Sequence, residues 1–426
     1  MKHAFPLALL GLLLVAAHPR AQFAPPPAPV PPSEVKATFL RLLDRPRVPL
    51  DVRSREIKAR ERGVVAERVD FAVERRPDGT FERVPALVVR PENGKGRMPA
   101  VIVLHGTGGN KEGMWSWLEQ LARRGMVAIA IDARFHGERA GGRKGTTAYN
   151  EAITQSWRSK AGEPQDHPFY FDTCWDAWRT VDYLQARPDV DPERVGMIGV
   201  SKGGIETWLA AAVDDRIKVA VPVIAVQSFR WSLDHDRWQG RANTIKEAHQ
   251  AAAADLGKPG VDREVCSALW AKVIPGMLDQ FDAPSMLRLF AGRSLLILNG
   301  GRDPNCPIEG ADLAFAAARA AFHDADADDH LKILVAPETG HAITPAQHQA
   351  ALDWFVVWLK PTLPEGAAKF LLHESRALAR RTFSPRAPRD LAARPEHPRP
   401  SRRPHGRRPT PTAEPVAAEA PETPAL

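Results

Sequence analysis

The sequence predicts an α/β fold: a doubly wound, mostly parallel sheet of eight strands, with a helical cap inserted late in the chain. Three observations support this prediction. Short apolar runs alternate with amphipathic helical patterns, glycine-rich turns follow several of the runs, and one long segment breaks the alternation. Strands that alternate with helices at this spacing form βαβ units, which place parallel strands in one sheet. Roughly 300 residues are enough to bury one large core.

The predicted strands begin with two antiparallel segments and continue with six that are mostly parallel. They cover residues 64–73, 81–89, 100–104, 127–131, 195–200, 219–224, 295–298 and 331–335. The predicted helices cover residues 112–124, 173–186, 203–213, 311–322 and 345–359. These elements define a core domain at 64–375. The predicted cap occupies residues 227–293 and includes a helical pattern at 242–253.

Both ends of the chain differ in composition from the predicted core. Residues 1–23 combine a basic start with an apolar stretch too short to span a bilayer, the pattern of a signal peptide for export to the periplasm or the exterior. An uncleaved anchor or a buried helix is the alternative interpretation. Residues 24–63 read as a proline-rich spacer and N-terminal extension. Residues 376–426 carry eleven arginines and five acidic residues, a composition that predicts a disordered tail.

The basic charge lies mainly in that tail, so it says little about the predicted core. The tail either contacts acidic surfaces or stays solvated without a specific partner. The sequence contains no nucleic-acid-binding module and no transmembrane span, and we predict no cofactor. Paired His or Cys spacing is also missing, so no metal site is predicted. Three cysteines (Cys174, Cys266 and Cys306) allow one disulfide and a free thiol, without indicating which pair would form it.

One serine lies between two glycines at a predicted strand-to-helix turn. Ser201 follows the apolar run 195–200, in the segment Gly199-Val200-Ser201-Lys202-Gly203. So tight a turn requires glycine at the flanking positions, because a side chain there would collide with the backbone. The serine is then held in a strained conformation with its hydroxyl exposed. Ser201 is therefore the candidate nucleophile.

An acid and a base follow at the ends of two later strands. Asp303 lies in a glycine-rich turn after the strand at 295–298, and His341 follows the strand at 331–335. Open α/β sheets gather their chemistry at these strand ends. His341 would accept the proton of Ser201, and Asp303 would hold the imidazole tautomer. Taken singly, Asp303 is typical of a helix cap and His341 of a surface loop. Their shared position and order favour a catalytic site.

A fourth strand end carries a glycine-rich loop at 106–109. Such a loop supplies N–H donors for negative charge that develops on a substrate oxygen. We predict that the backbone N–H groups of Thr107 and Lys202 form this oxyanion hole, with Gly106 or Gly108 as alternatives to Thr107. His105 directly precedes the loop, a position that favours a structural hydrogen bond over a role as base.

Together these motifs resemble the α/β-hydrolase superfamily. Within it they are similar to the dienelactone hydrolase and acetyl xylan esterase-like branch, which is related to the catalytic domains of prolyl-oligopeptidase-type peptidases. The motifs that carry the resemblance lie at 105–109, 132–137, 191–196, 199–204, 301–307 and 340–341. The resemblance implies a Ser-His-Asp serine hydrolase that cleaves carboxylic esters through an acyl-enzyme. Dienelactone hydrolases use a cysteine nucleophile where this chain has Ser201, so lactone chemistry is not implied.

The predicted substrate is a small-molecule or carbohydrate ester. Trp231 and Trp238 are seven residues apart, so we expect them to share a helical face and line the substrate pocket; packing of the cap onto the body is the alternative. A long polar loop is predicted at 135–168, where Arg143 would meet an anionic substrate group. Two other functions stay open: a serine peptidase or amidase, and a catalytically silent binding protein.

Overall fold

A sheet of nine strands runs through the part of the chain that the computed structural model describes, residues 30–160 and 166–362. The strands are β1 (Arg53–Ile57), β2 (Val64–Arg75), β3 (Phe81–Pro91), β4 (Met98–Leu104), β5 (Val127–Ile131), β6 (Val190–Val200), β7 (Ile217–Val223), β8 (Ser294–Gly300) and β9 (Leu331–Ala336). Their order across the sheet is β1-β2-β3-β5-β4-β6-β7-β8-β9. The pairs β1–β2, β2–β3 and β3–β5 are antiparallel. The pairs β5–β4, β4–β6, β6–β7, β7–β8 and β8–β9 are parallel. The mixed α/β fold class predicted from the sequence is confirmed.

The predicted count of eight strands is corrected by one. Strand β1 lies inside the segment 24–63 and pairs with β2 at the sheet edge. Four of its five residues are exposed. An edge strand with both faces in solvent needs no apolar alternation, so its sequence, Arg-Ser-Arg-Glu-Ile, carries no strand pattern.

Helices cover both faces of the sheet. The helices before the cap are α1 (Pro32–Leu43), α2 (Trp115–Ala122), α3 (Thr147–Arg158), α4 (Phe171–Ala186) and α5 (Lys202–Val213). The cap contains α6 (Phe229–Asp234), α7 (Gln239–Asn243), α8 (Lys246–Asp255), α9 (Arg263–Val273) and α10 (Ala283–Met286), and the last two helices are α11 (Ile308–Asp324) and α12 (Pro345–Leu359). In the part of the chain that the structure describes, no helix has the length and apolar composition needed to cross a membrane.

The apolar core divides into two layers, one on each face of the sheet. Strand β4 shows why, since Ile102 points into the layer formed by α4, α5 and α11, whereas Val101 and Val103 point into the layer formed by α2 and α12. Successive side chains of a strand alternate between faces, so a strand covered on both sides is apolar throughout. All seven residues of β4 are accordingly buried.

Helix α1 belongs structurally to the body although it lies in the predicted spacer and extension. It buries Val35, Phe39 and Leu43. The ring of Phe39 meets the edges of Phe171 in α4 and Phe281 in the cap, at centroid distances of 5.3 and 5.0 Å. The extension therefore links the cap to the body. The predicted signal peptide at 1–23 and the predicted tail at 376–426 lie outside the described residues.

Two local predictions are wrong. The predicted polar loop at 135–168 contains helix α3, whose buried residues include Tyr149 and Ile153. In the cap, Trp231 and Trp238 do not share a helix. Helix α6 ends at Asp234, and Asp236 adopts a left-handed backbone with φ of 53°, which interrupts the helical path between the two tryptophans.

The predicted cap helix at 242–253 is also interrupted. Helix α7 ends at Asn243 and α8 begins at Lys246. Between them Ile245, which is fully buried, has a non-helical backbone with φ of −137° and ψ of 53°. Burial of this side chain outweighs the helical pattern of the surrounding alanines.

A network of buried charges lies beside β5. The Arg134 Nε donates to Asp176 Oδ2 at 3.1 Å, and the Arg139 Nη1 donates to the same oxygen at 2.7 Å. Arg139 also bonds to Glu82 at 2.6 Å. Burial alone would raise the pKa of Asp176, but the two guanidinium groups outweigh it and hold that pKa at about 2. Asp176 is thus the shared counter-ion of two buried cations.

Replacing Asp176 by alanine is expected to lower the free energy of unfolding by about 3–5 kcal/mol, because two buried guanidinium groups lose a shared partner. The matched control is Glu151→Ala, which removes the exposed ion pair with Arg143 and is expected to change stability by less than about 1 kcal/mol. Urea unfolding at neutral pH measures both values. Equal losses in the two variants would contradict this account.

Candidate active site

Ser201 occupies a strained turn between β6 and α5. Its φ of 55° and ψ of −115° lie where side-chain-bearing residues are rare. A Cβ on Gly199 would collide with the Gly203 carbonyl, and a Cβ on Gly203 would collide with the Leu104 carbonyl at the end of β4. Both glycines are therefore required by close backbone approach, as the sequence pattern predicted. The Ser201 N–H donates to the Val223 carbonyl at 2.9 Å, which ties the turn to β7.

Three predicted residues form one hydrogen-bonded chain. The Ser201 Oγ lies 2.8 Å from the His341 Nε2, and the His341 Nδ1 lies 2.7 Å from the Asp303 Oδ2. A carboxylate can only accept, so Nδ1 carries the proton and Nε2 presents its lone pair to the serine hydroxyl. That tautomer is the one a base acting on Ser201 needs.

The acid is buried and held on both oxygens. Asp303 is 2% exposed, and its Oδ1 accepts from the backbone N–H of Asn305 at 2.8 Å and of Cys306 at 3.3 Å. The His341 side chain, in contrast, is a quarter exposed. The carboxylate at one end of this hydrogen-bonded series is thus fixed within the protein, and the imidazole stays within reach of solvent.

The two loops that carry the acid and the base touch each other. A Cβ on Gly300 would collide with the Gly340 carbonyl, and a Cβ on Gly301 would lie 2.6 Å from the Pro337 carbonyl. The Arg302 N–H also donates to the Thr339 carbonyl at 2.9 Å. Adjacent strands β8 and β9 therefore deliver Asp303 and His341 side by side, although 38 positions separate them in the sequence.

The glycine-rich loop after β4 lies against the nucleophile. A Cβ on Gly106 would lie 3.5 Å from the Ser201 Cβ, and Thr107 follows directly. Lys202 is the first residue of α5. The first N–H groups of a helix have no partner within the helix, so the Lys202 N–H is available to a ligand beside Ser201. The backbones of both predicted oxyanion-hole residues thus flank the nucleophile.

His105 makes two structural hydrogen bonds. Its Nε2 accepts from the Ala133 N–H at 3.1 Å, so Nδ1 carries the proton and donates to the Gly106 carbonyl at 2.8 Å. Burial, reinforced by the positive charge of Lys202, lowers the pKa of His105 to about 3. The ring is therefore a neutral clamp on the loop at 106–109, in agreement with the structural interpretation of this residue.

The side chain of Lys202 forms a buried ion pair that the sequence did not reveal. Lys202 bonds to Glu206 within α5, and both side chains are fully buried. The Lys202 Nζ also lies 5.4 Å from the centre of the Tyr149 ring, a cation–π contact from α3. Burial raises the pKa of Glu206, and the Lys202 charge opposes that rise. A Lys–Glu pair four residues apart is common on exposed helices, so its burial had no sequence signal.

The pocket residues predicted in the cap have packing contacts. Trp231 stacks on His235 at a ring distance of 4.3 Å and lies against Gly310 of α11. Trp238 is partly buried against the main apolar cluster. Arg143 forms an exposed ion pair with Glu151. The contacts of Trp231 are those of the alternative interpretation, in which it packs the cap onto the body.

All three cysteines are buried free thiols, so the disulfide that the sequence left open is not formed. Cys306 lies near the site, with Asp303 and His341, and one potential metal-ligand atom from each lies within 4.8 Å of the others. The carboxylate and the imidazole already bond to each other. Burial raises the pKa of Cys306 to about 12, which disfavours the thiolate that a metal would need. The donor set therefore fits a metal ion poorly.

Comparison with known proteins shows similarity to esterases and hydrolases. The acetyl xylan esterase (AXE1) family model matches residues 64–232. YtaP of Bacillus subtilis (strain 168), named provisionally as a hydrolase, is 27% identical over 339 residues, which cover 76% of this chain and 98% of YtaP.

Two solved structures share the fold. Acetyl xylan esterase 1 from Thermoanaerobacterium sp. JW/SL YS485 superposes with a TM-score of 0.53 at 20% identity, covering 78% of this chain and 95% of that one. A glucuronoyl esterase from Solibacter usitatus superposes with a TM-score of 0.50 at 15% identity, covering 76% and 91%.

The chain therefore has the fold of the α/β-hydrolases. More narrowly, it resembles the acetyl xylan esterase and dienelactone hydrolase-like branch of that superfamily, as the sequence motifs predicted. The chain is thus similar to enzymes that hydrolyse carboxylic esters.

The buried histidines predict a pH dependence of stability. Burial, reinforced by the Lys202 charge, lowers the pKa of His136 to about 2, below the about 3 of His105. Below pH 6.5 the unfolded chain binds a proton at each ring and the folded chain does not, so stability falls as the pH drops. Between pH 7 and 5.5 we expect a loss of about 1 kcal/mol for each histidine.

Urea unfolding at the two pH values measures this loss. In His136→Phe the pH-dependent loss should shrink by the share of one histidine, whatever the substitution does to stability at pH 7. The control Leu313→Phe alters an exposed position, removes no titratable group and should keep the wild-type slope. An unchanged slope in His136→Phe would show that this ring titrates normally.

Proposed function

We propose that Ser201, His341 and Asp303 form a catalytic triad that hydrolyses carboxylic esters through an acyl-enzyme. The observation that carries this proposal is the continuous hydrogen-bonded chain from the serine hydroxyl to the buried carboxylate. The strained turn at Ser201 supports it, because such strain persists where it serves a function.

The first half-reaction acylates the serine. The Ser201 Oγ attacks the ester carbonyl carbon while the His341 Nε2 takes the hydroxyl proton, and Asp303 stabilises the resulting imidazolium. The N–H groups of Thr107 and Lys202 stabilise the negative charge on the carbonyl oxygen, where one donor is typically worth about 3 kcal/mol. The ester C–O bond then breaks, and the imidazolium returns its proton to the leaving alcohol.

The second half-reaction restores the enzyme. His341 takes a proton from water, the resulting hydroxide attacks the acyl-serine carbonyl, and the Ser201 oxygen leaves with the proton from the imidazolium. The partial exposure of His341 supports this step, because water must reach the base. The products are a carboxylic acid and an alcohol, and no cofactor is consumed.

We propose an acylated carbohydrate as the substrate class. The match to the acetyl xylan esterase family supports an acyl group on sugar as the scissile part. The signal-peptide pattern at 1–23 supports export, which would bring the enzyme to such substrates outside the cytoplasm. The basic segment at 376–426 would add attraction to acidic surfaces. In the cap, Trp238 is the aromatic residue that would line the approach to Ser201, since Trp231 packs against α11.

A peptidase or amidase is the second candidate, because the same triad cleaves amides. The resemblance to prolyl-oligopeptidase-type catalytic domains supports it. A silent binding protein is the third candidate, and the intact hydrogen-bonded chain argues against it. Substrate tests separate all three.

Ser201→Ala should abolish turnover of 4-nitrophenyl acetate, with a loss of at least about 10³-fold in kcat. The same variant should lose covalent labelling by a fluorophosphonate probe, which reacts with activated serines. Ser116→Ala is a matched control at an exposed serine of α2 and should keep both activities. Wild-type protein that hydrolyses no ester and is not labelled by the fluorophosphonate probe would contradict the proposal and favour a silent binding protein.

Ester turnover should exceed anilide turnover. A panel of nitrophenyl esters of rising acyl length, acetylated xylan and aminoacyl anilides measures the preference as kcat/KM. We expect short acyl esters to be preferred and activity to decline in acid, because a protonated His341 cannot accept the serine proton. Anilide cleavage without ester cleavage would favour the peptidase.

A further inference from the structure

The cap contacts the turn that carries the acid. Helix α7 lies so close to the segment after Asp303 that a Cβ on Gly240 would collide with the Pro304 carbonyl. Backbone contact this close leaves no room for a layer of side chains or water between helix and turn. The position of α7 therefore bears directly on the shape of the turn at 303–306.

Arg241 is the next residue of α7, and its guanidinium is bound to the same turn. Its Nη2 donates to the Asn305 carbonyl at 3.0 Å and to the Cys306 Sγ at 3.3 Å. With the Gln227 amide oriented so that both of its ends are satisfied, the Arg241 Nε donates to its side-chain carbonyl at 3.1 Å and its amide nitrogen donates to the Asn305 carbonyl at 2.8 Å. The side chain is only 1% exposed. Three hydrogen bonds thus converge on two residues of the turn.

Those two residues also hold the acid. The N–H groups of Asn305 and Cys306 donate to the Asp303 Oδ1, while the Asp303 Oδ2 accepts from His341. Arg241 therefore donates to the carbonyl of Asn305 and to the sulfur of Cys306. The backbone N–H groups of the same two residues hold the carboxylate. Movement of the turn would rotate the carboxylate and change its bond to the imidazole.

The chemistry of Arg241 is unusual for a residue that only packs. Its hydrogen bonds go to uncharged groups, namely carbonyl oxygens, a thiol and the Tyr170 hydroxyl, and the carboxylate whose charge acts on it is that of Asp303. Burying a cation among neutral partners is unfavourable, and an apolar side chain of similar volume would pack a helix at lower cost. Proximity to the acid gives the guanidinium a reason to be there.

We propose that Arg241 is a positioning residue that couples the cap to the triad by holding the turn at 303–306. The proposal rests on the proposed function, since it assigns Arg241 a role through Asp303. It predicts that the cap sets the orientation of the acid in addition to covering the site. A displaced cap would leave Ser201 in place and weaken its activation.

Arg241→Met tests the link by keeping the volume and removing the donors. We expect kcat for 4-nitrophenyl acetate to fall about 10- to 100-fold, the effect of a small misplacement in a catalytic site, with KM changed less than about twofold. Fluorophosphonate labelling of Ser201 should slow in proportion. Arg241→Lys keeps a cation that reaches the Asn305 carbonyl and should recover most of kcat.

Gly240→Ala tests the same coupling without altering charge. The new Cβ meets the Pro304 carbonyl and pushes α7 from the turn, so kcat should fall while KM stays close to the wild-type value. Gly260→Ala is the matched control, because its Cβ would have no neighbour within 4 Å, and it should behave as wild type. The double variant Gly240→Ala/Arg241→Met should lose little more kcat than the more affected single variant.

Three results separate the possible failures. Thermal unfolding of each variant, with kinetics measured well below the transition, keeps folding defects apart from kinetic ones. Arg241→Met with wild-type kcat, or with a loss confined to KM, would overturn the coupling while the triad stands. Ester turnover that survives in Ser201→Ala would instead overturn the proposed function.

Discussion

The left-handed backbone of Ser201 is the constraint on which the site depends. That conformation exists only because Gly199 and Gly203 let the start of α5 approach the ends of β4 and β6 without side chains between them. The same approach brings the loop at 106–109 against the serine and places the first N–H of α5, which has no partner within the helix, in the residue next to it. The positions of the nucleophile and of the predicted oxyanion donors therefore depend on the same close approach, so a shift of one would move the others.

The order of the strands in the sheet positions the acid and the base. Strands β6, β7, β8 and β9 are successive neighbours, and their carboxyl ends share one edge, so the loops carrying Asp303 and His341 reach the serine from one side. The charged and titratable groups beneath the nucleophile are either paired or neutral. Lys202 pairs with Glu206, and burial together with the Lys202 charge lowers the pKa of His105, so that its ring stays uncharged beneath the nucleophile.

Strands β2 to β9 were predictable because each has at least one face that is buried or, in β9, half-buried, and so carries an apolar pattern. Strand β1 was not, since a solvated edge needs none, and α3 was missed because polar residues such as Asn150 and Ser156 occupy part of its buried face. The triad residues were predictable from their order after strands. The tryptophan pair was misjudged because a single backbone reversal at Asp236 leaves no trace in residue spacing.

Arg241 shows why the rest of the site needed a structure. In sequence it is one arginine in a short polar helix, where exposure is the ordinary outcome. Its burial follows from long-range contact between α7 and the turn at 303–306, which local patterns do not encode. Arg134 and Arg139 are buried too, but Asp176 lies between them as counter-ion. Arg241 instead donates to the Asn305 carbonyl and the Cys306 thiol of the turn that holds Asp303, so its burial is best explained by what it does for the acid.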